Sequence, residues 1–193
     1  VFAEAGLDLD ALRREADRGK CVTAAGDAVA KLAARLYAEG KVEGVLGMGG
    51  SAGTVIGTAA MRAVPFGVPK VMLSTLASGQ TRPYVSGSDL ALFHSVADIA
   101  GLNRVTRTVI LNAANALAGM VRERRRADPN LASADRPVVT ATMFGVTTPC
   151  VDRARLALDA LGFEVIVFHA TGIGGLAMEG LIRDGQVTAV LDL

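Results

Sequence analysis

Apolar residues recur along this chain with two alternating periods, which predicts an alternation of helices and strands. Val22, Val29, Leu32 and Leu36 are spaced for one helix face, so a helix is predicted over 20–39, before Gly40. Short apolar runs bounded by turn residues are typical of buried strands. The elements predicted next are strands at 42–48, 71–75 and 90–96, helices at 52–63 and 103–125, and a polar loop at 77–89.

The composition changes between residues 127 and 137, where Asp, Pro, Asn, Ser and Ala dominate. This stretch is the best candidate for an interdomain linker. After it, strands are predicted at 138–143, 164–168 and 188–191, and helices at 151–161 and 176–183. Alternating strands and helices favour parallel sheets. The predicted fold class is therefore α/β, with two Rossmann-like lobes of largely parallel sheet, the first over 1–130 and the second over 131–193.

The predicted helix at 103–125 is apolar nearly all round in its middle part, over 109–121. A helix with this pattern is buried on both sides. We expect one side to pack on the sheet and the other to be covered by another domain or subunit. The pattern therefore predicts a homo-oligomer.

The charges of the chain nearly cancel, since 20 basic and 19 acidic residues give a formal charge of +1. There is thus no overall attraction to nucleic acid, and any anion binding must be local. Four arginines lie close together at Arg122, Arg124, Arg125 and Arg126, but they are expected at a helix end, where cations favour the carbonyl groups. No aromatic residues accompany them, so no nucleic-acid partner is expected.

The two cysteines, Cys21 and Cys150, are far apart and have no metal-binding spacing, which predicts a reducing, cytoplasmic location and no metal site. No apolar run reaches the roughly 18 residues of a membrane span, and the first residues lack the order of a signal peptide. The chain begins without Met and ends on a strand-like run. We therefore expect it to be a piece of a longer polypeptide.

Four predicted strand-to-helix turns are rich in Gly, Ser and Thr, at 47–54, 75–89, 140–148 and 169–175. In a parallel sheet such turns emerge at the carboxyl edge, where ligands bind. Glycines let a ligand approach the backbone, and helix N-termini offer unpaired N–H groups. Ser51 and Thr54 could add hydroxyl donors. These turns predict a site for a phosphate-bearing ligand, although glycines also serve simply to connect strands to closely packed helices.

The turn at 47–54 fits none of the common phosphate motifs fully. No Lys-Ser or Lys-Thr pair follows the glycines, so it is not a Walker A motif. The next predicted strand ends at Ser74 and Thr75 without an acidic residue for a ribose, which argues against a nicotinamide or flavin cofactor. Gly-Gly-Ser-Ala-Gly around Ser51 also matches a nucleophile elbow. A serine hydrolase using Ser51, with Asp89 or Asp98 and His169, is a minor alternative.

The predicted loop at 77–89 is long enough to suggest a functional role. Arg82 could pair with a phosphate or carboxylate through two hydrogen bonds, and Tyr84 could stack on a base. The simpler interpretation is a surface loop fixed by Pro83.

Four segments together resemble a known family: Gly-Gly-Ser-Ala-Gly-Thr at 49–54, Met-Arg-Ala-Val-Pro-Phe-Gly-Val-Pro-Lys at 61–70, Ser-Thr-Leu-Ala-Ser-Gly at 74–79 and Asp-Ile-Ala-Gly-Leu-Asn-Arg at 98–104. They are similar to the ATP-binding domain family named after the tomato mosaic virus resistance protein. The resemblance implies a two-lobed Rossmann-like fold and ATP binding without a settled reaction. The residues that match this pattern are Gly49, Gly50, Ser51, Gly53, Thr54, Ser78, Gly79 and Arg82.

The first hypothesis is a nucleotide-binding module that holds ATP, with or without Mg²⁺, on the segment 47–54. Arg82 would supply counter-charge, and Gly174 and Gly175 of the second lobe would close the cleft. The alternative is a metabolic enzyme acting on a small phosphorylated or carboxylated substrate in the same cleft. A third hypothesis is a partner-binding protein, which the antiviral role of the family's plant member suggests. No catalytic residue is assigned.

Overall fold

The computed structural model describes residues 1–126 and 136–193 and divides them into two compact units. The first unit comprises Val1–Val85 and Asp89–Arg125, and the second comprises Ser86–Ser88 and Arg126–Leu193. The predicted domain boundary between 130 and 131 lies outside the described residues, as does most of the predicted linker, so that boundary stays a prediction.

The first unit alternates helices and strands after a short amino-terminal segment that the sequence pattern did not predict. Its elements are a 3-10 turn at Ala3–Ala5, α1 (Leu9–Glu15), α2 (Arg18–Ala38), β1 (Val45–Gly49), α3 (Ser51–Arg62), β2 (Lys70–Ser74), α4 (Arg82–Val85), β3 (Ala91–His94) and α5 (Arg104–Arg126). None of the helices in the described residues is long and apolar enough to cross a membrane.

The sheet of the first unit is parallel, with strand order β1-β2-β3. All five residues of the central strand β2 are buried. Met72 faces α3, whereas its neighbours Val71 and Leu73 pack against Ala113 of α5. Because successive strand residues point to opposite faces, α3 and α5 cover opposite sides of the sheet. Helix α2 packs beside α3, and its Ala33 belongs to one buried cluster with Ala60 and Val64.

The second unit has its own parallel sheet, with strand order β5-β4-β6. Its elements are β4 (Val138–Met143), a 3-10 turn at Gly145–Thr147, α6 (Thr148–Ala160), β5 (Glu164–His169), α7 (Gly174–Arg183) and β6 (Ala189–Leu191). Val139 to Thr142 of the central strand β4 are buried, and the Thr142 Oγ1 donates to Asp192 at 2.6 Å. The two parallel sheets confirm the predicted α/β fold class.

The sequence interpretation assumed that the four glycine-rich turns share one sheet edge. In the structure they do not. The turns after β1 and β2 belong to the first sheet, and those after β4 and β5 belong to the second. Strand order is set by tertiary contacts between distant segments, so the local sequence pattern could not reveal this division. Each unit therefore has two of the four turns at its own carboxyl edge.

Helix α5 is buried on one side only within the described residues. Ala113 is fully buried against β2, but Leu111 is 54% exposed and Met120 is 40% exposed. The predicted cover by the sheet is present, whereas Leu111 and Met120 lie on the exposed part of the helix surface. The expected contact with another domain or subunit stays a prediction.

An ion pair between the buried Lys70 and the partly exposed Asp89 side chain lies at the amino end of β2. The Lys70 side chain has no exposed surface, and its Nζ donates to Asp89 Oδ1 at 2.5 Å and to the Pro65 carbonyl at 2.7 Å. The other carboxylate oxygen of Asp89 accepts from the Gly67 N–H at 2.8 Å. The pair therefore connects the end of the loop before β3 to the turn before β2.

Removing the carboxylate should destabilise the chain more than removing the ammonium. We expect Asp89→Ala to lower the free energy of unfolding by about 3 kcal/mol, because it leaves the Lys70 charge buried without its partner. Lys70→Met removes the buried charge itself, so its loss should be clearly smaller. Urea denaturation of both variants tests this order, and equal losses would contradict it.

Candidate functional site

The candidate site is built around an abrupt junction between β1 and α3. Gly49 is the last residue of β1 and Ser51 is the first of α3, so Gly50 alone connects them. The predicted loop at 47–54 is thus almost entirely strand and helix. The helix begins directly at the carboxyl edge of the sheet, beside Ser74 at the end of β2, which pairs with Gly49.

Glycines at this junction permit close packing of helix on strand. A Cβ at Gly49 would lie 2.9 Å from the Gly53 Cα, and a Cβ at Gly53 would lie 3.2 Å from the Met48 carbonyl oxygen. Neither backbone atom can move without separating α3 from β1. Gly49 and Gly53 therefore have a structural explanation that requires no ligand.

Gly50 is different, because close packing does not explain it. It is the N-cap of α3 with extended backbone angles, and a Cβ there would meet only the Thr75 Oγ1, at an ordinary 3.6 Å. Ser, Asp or Asn would fit and would cap the helix, yet Gly50 has no side chain to do so. The first intrahelical bond is made by the Thr54 N–H to the Gly50 carbonyl, at 2.8 Å. The N–H groups of Ser51, Ala52 and Gly53 have no intrahelical acceptor.

Thr54 is buried at the junction and stabilises it through hydrogen bonds. The residue is 1% exposed, and its Oγ1 donates to the Gly50 carbonyl at 2.7 Å while lying 2.6 Å from the Ser74 Oγ. The Ser74 Oγ in turn accepts from the Leu76 N–H at 2.9 Å. Because both its hydroxyl and its N–H are engaged, the hydroxyl donor predicted at Thr54 is not available to a ligand. Its contribution is to fix the start of α3 to the turn after β2.

The turn after β2 lies beside the α3 N-terminus. The Thr75 N–H donates to the Gly49 carbonyl at 3.3 Å, which continues the β1-β2 pairing past the end of β2. The Gly79 N–H donates to the Leu76 carbonyl at 3.0 Å and closes the turn. Ser78 and Gly79 are both exposed, so they are accessible to a ligand at this edge.

Arg82 is the first residue of α4, a short helix inside the region predicted as loop. The neighbouring Tyr84 carbonyl accepts from the Arg62 Nη1 of α3 at 2.6 Å, and the same nitrogen donates to the Thr58 Oγ1 at 3.1 Å. Burial lowers the pKa of Arg62 from its ordinary value. Arg62 therefore holds α4 against α3, while Arg82 remains exposed.

The turn after β3 completes this edge of the sheet, and the sequence interpretation gave it no role in binding. Ser95 is 1% exposed, its N–H donates to the Ser74 carbonyl at 3.1 Å, and its Oγ donates to the Ala97 carbonyl at 2.7 Å. Val96 follows with φ +64°. Such a conformation costs a β-branched residue about 1–3 kcal/mol. Gly or Asn would have signalled it in the sequence, whereas Val gave no such signal.

Gly174 and Gly175 lie in the second unit, at the start of α7. A Cβ at Gly174 would collide with the His169 carbonyl oxygen of β5, so this glycine permits close packing of α7 on β5. Gly175 has open space around it. Gly49 and Gly174 thus have the same packing role, since each lets a helix lie close to the strand before it.

The form of the serine triad that uses Asp89 does not fit the structure, whereas the form that uses Asp98 stays a prediction. Ser51 lies at the carboxyl end of the sheet, whereas Asp89 binds Lys70, the first residue of β2, at the amino end. Five strand residues separate the two ends by roughly 13 Å. His169 belongs to the other unit, where its Nδ1 lies 2.8 Å from the Thr171 Oγ1. Over residues 1–126 and 136–193, no three His, Cys, Asp or Glu side chains group as metal ligands.

Comparison with known proteins places the chain in a family. The model of the Uncharacterised protein family (UPF0261) N-terminal domain matches residues 1–126, and that of its C-terminal domain matches residues 136–193. The chain belongs to the UPF0261 family. This membership confirms the resemblance found in the sequence, because the ToMV susceptible and ToMV resistance proteins of Solanum lycopersicum are also similar to the chain.

Relatives of this UPF0261 chain occur in bacteria and in a plant. A UPF0261 protein of Clostridium tetani is 46% identical over 188 residues, 97% of this chain and 46% of the relative. One from Rhizobium meliloti is 49% identical over 177 residues, 92% of this chain and 42% of the relative. The ToMV susceptible protein tm-1(GCR26) of Solanum lycopersicum is 45% identical over 177 residues, 91% of this chain and 24% of the relative. The chain thus spans less than half the length of these relatives.

The Thr54 hydroxyl should contribute substantially to stability. We expect Thr54→Val to lower the free energy of unfolding by about 1–3 kcal/mol, because the substitution leaves the buried Ser74 Oγ without this partner. Thr108→Val is the matched control, since the exposed Thr108 hydroxyl bonds only its own helix, at the Arg104 carbonyl. Its effect should stay within about 0.5 kcal/mol. Equal effects in urea denaturation would show that the Thr54–Ser74 contact is unimportant.

Proposed function

We propose that this UPF0261 chain binds a nucleotide, with the phosphates on the N-terminus of α3. The observation that carries the proposal is the glycine N-cap at Gly50, which leaves the N–H groups of Ser51, Ala52 and Gly53 without a side-chain acceptor. A 12-residue helix that begins directly at a sheet edge concentrates its partial positive charge there. This is the arrangement that phosphate groups use at other helix N-termini.

The surroundings of α3 support an anionic ligand over a neutral one. Ser51 is exposed and adds a hydroxyl donor beside the N–H groups. Arg82 is exposed on α4, and α4 is bonded to α3 through Arg62, the last residue of that helix. The proposal gives Arg82 the role of counter-charge. A guanidinium pairs with phosphate through two parallel hydrogen bonds.

The turn after β2 supplies the next set of contacts in this proposal. Ser78 and Gly79 would approach the ligand beyond the phosphates held by α3, since their turn is joined to β1 by the Thr75–Gly49 bond. A Mg²⁺ ion, if used, would be bound mainly through the phosphates themselves. ATP is the nucleotide proposed, because the family resemblance implies it.

The alternative function is that of an enzyme for a small phosphorylated or carboxylated substrate at the same helix N-terminus. An anion of either kind would satisfy the free N–H groups at Ser51 to Gly53. The two functions differ in the part of the ligand that lies beyond the anionic group bound at the helix N-terminus. Binding of a sugar phosphate or organic acid, with no binding of ATP, would favour the enzyme. The names of two relatives, as ToMV susceptible and ToMV resistance proteins, keep a partner-binding role as the third hypothesis.

The glycine cap provides a sharp test of nucleotide binding. Isothermal titration of the 193-residue chain with ATP and Mg²⁺ should show micromolar-range affinity. Gly50→Asp should abolish it, because the new carboxylate accepts from the N–H groups that would hold a phosphate. The same cap should leave the melting temperature unchanged or higher, since Asp is favoured at this position. Loss of binding therefore cannot be attributed to unfolding.

A matched control separates the local effect from the added charge. Gly119→Asp places the same substitution on α5, at a glycine whose Cβ position is open, and it should leave ATP affinity unchanged. Gly50→Ser, which caps the helix without a charge, should weaken binding less than Gly50→Asp. Failure of the wild-type chain to bind ATP or any other nucleotide would overturn the proposal.

We further propose that the chain forms a homo-oligomer through the outer side of α5. Leu111 is the most exposed large apolar residue of that helix. Light scattering after size-exclusion chromatography should give a multiple of the 19.8 kDa chain mass, and Leu111→Lys should shift it to the monomer. A monomeric wild-type chain would contradict this part of the proposal.

A further inference from the structure

Val96 combines two features that the fold itself does not explain. Its φ of +64° is a conformation that β-branched residues rarely adopt, and the residue is 67% exposed. Burial of the side chain therefore does not compensate the backbone strain. Strained residues persist where the surrounding structure holds them, and they cluster at ligand sites.

The surrounding structure holds this turn firmly. Ser95 is buried and forms bonds on both sides, from its N–H to the Ser74 carbonyl and from its Oγ to the Ala97 carbonyl. The Ala97 N–H also donates back to the Ser95 carbonyl, at 2.7 Å. These bonds fix Val96 at the carboxyl end of β3. Its isopropyl group is thereby kept exposed at this edge of the sheet.

The position of Val96 relates it to the proposed phosphate site. Gly49, Ser74 and His94 are aligned across the three parallel strands, so the turns that follow them lie at one edge. Two strand spacings separate β1 from β3, which is roughly 10 Å. A nucleotide whose phosphates sit on α3 is long enough to cross the turn after β2 and reach the turn after β3.

We propose that Val96 is a specificity-determining residue that packs against the nucleoside part of the bound nucleotide. This inference rests on the proposed function, because it assumes that the phosphates bind at α3. An exposed aliphatic side chain offers an apolar surface to a base or ribose and nothing to a phosphate. The strain at Val96 is then retained because it presents that surface.

The test compares Val96→Gly with the wild-type chain, using ATP and inorganic triphosphate as separate ligands. Glycine adopts positive φ without strain, so the melting temperature should rise by a few degrees. ATP affinity should nevertheless fall about five- to tenfold, because the apolar contact is lost. Affinity for inorganic triphosphate, which lacks a nucleoside, should not change.

Two further variants keep the interpretation clear. Ala16→Gly relieves another positive φ, of 52°, at the exposed end of α1, and it should leave ATP affinity unchanged. Val96→Asn keeps a side chain of similar size in a conformation that Asn tolerates, but makes it polar, so it should weaken ATP binding as Val96→Gly does. Together they separate relief of strain from loss of the apolar contact.

Each remaining outcome decides against the inference. If Val96→Gly leaves ATP affinity unchanged, Val96 does not contact the nucleoside, while nucleotide binding at α3 still stands. If it weakens ATP and triphosphate equally, the turn only positions the phosphate site. If the wild-type chain binds neither ligand, the proposed function fails and this inference fails with it.

Discussion

The close approach of α3 to β1 is the constraint on which the first unit depends. A side chain at Gly49 or Gly53 would push the helix off the strand, as the 2.9 Å and 3.2 Å distances to the opposing backbone show. Because the two elements touch, a single residue can join them, and the helix starts at the edge of the sheet. The same closeness lets the Thr54 hydroxyl reach Ser74 on the neighbouring strand. The position of α3 and the start of its first turn at the sheet edge follow from this contact.

The two ends of this sheet differ in how completely their polar groups are satisfied. At the amino end, Lys70 is fully buried and bonded to Asp89 and to the Pro65 carbonyl, so that end contributes stability. At the carboxyl end, α3 begins without a side-chain cap and Val96 is strained and exposed. Natural proteins tolerate such departures from local rules chiefly where function requires them. The contrast is the physical reason for placing a ligand at the carboxyl end.

Much of the fold could be predicted from the sequence, because local patterns encode secondary structure. The strand at 138–143 was predicted with its observed bounds, and the helix predicted at 52–63 begins and ends one residue earlier in the structure. The site was less accessible to such reasoning. The glycine-rich segment was recognised in the sequence. The separate roles of its residues were not, since Gly49 and Gly53 permit close packing whereas Gly50 leaves the helix without a side-chain cap. The position of Asp89 at the far end of the sheet, the burial of Thr54 and the strain at Val96 arise from tertiary contacts that no local motif encodes.

The central claim is that phosphate groups bind the N–H groups at the start of α3. The most direct measurement follows backbone amide resonances of the ¹⁵N-labelled chain by NMR during titration with ATP. The account predicts that the amides of Ser51, Ala52 and Gly53 shift most, with smaller changes at Gly79, and that inorganic triphosphate reproduces the changes at α3. ATP binding that leaves those three amides unmoved, or that shifts only amides of the second unit, would contradict it.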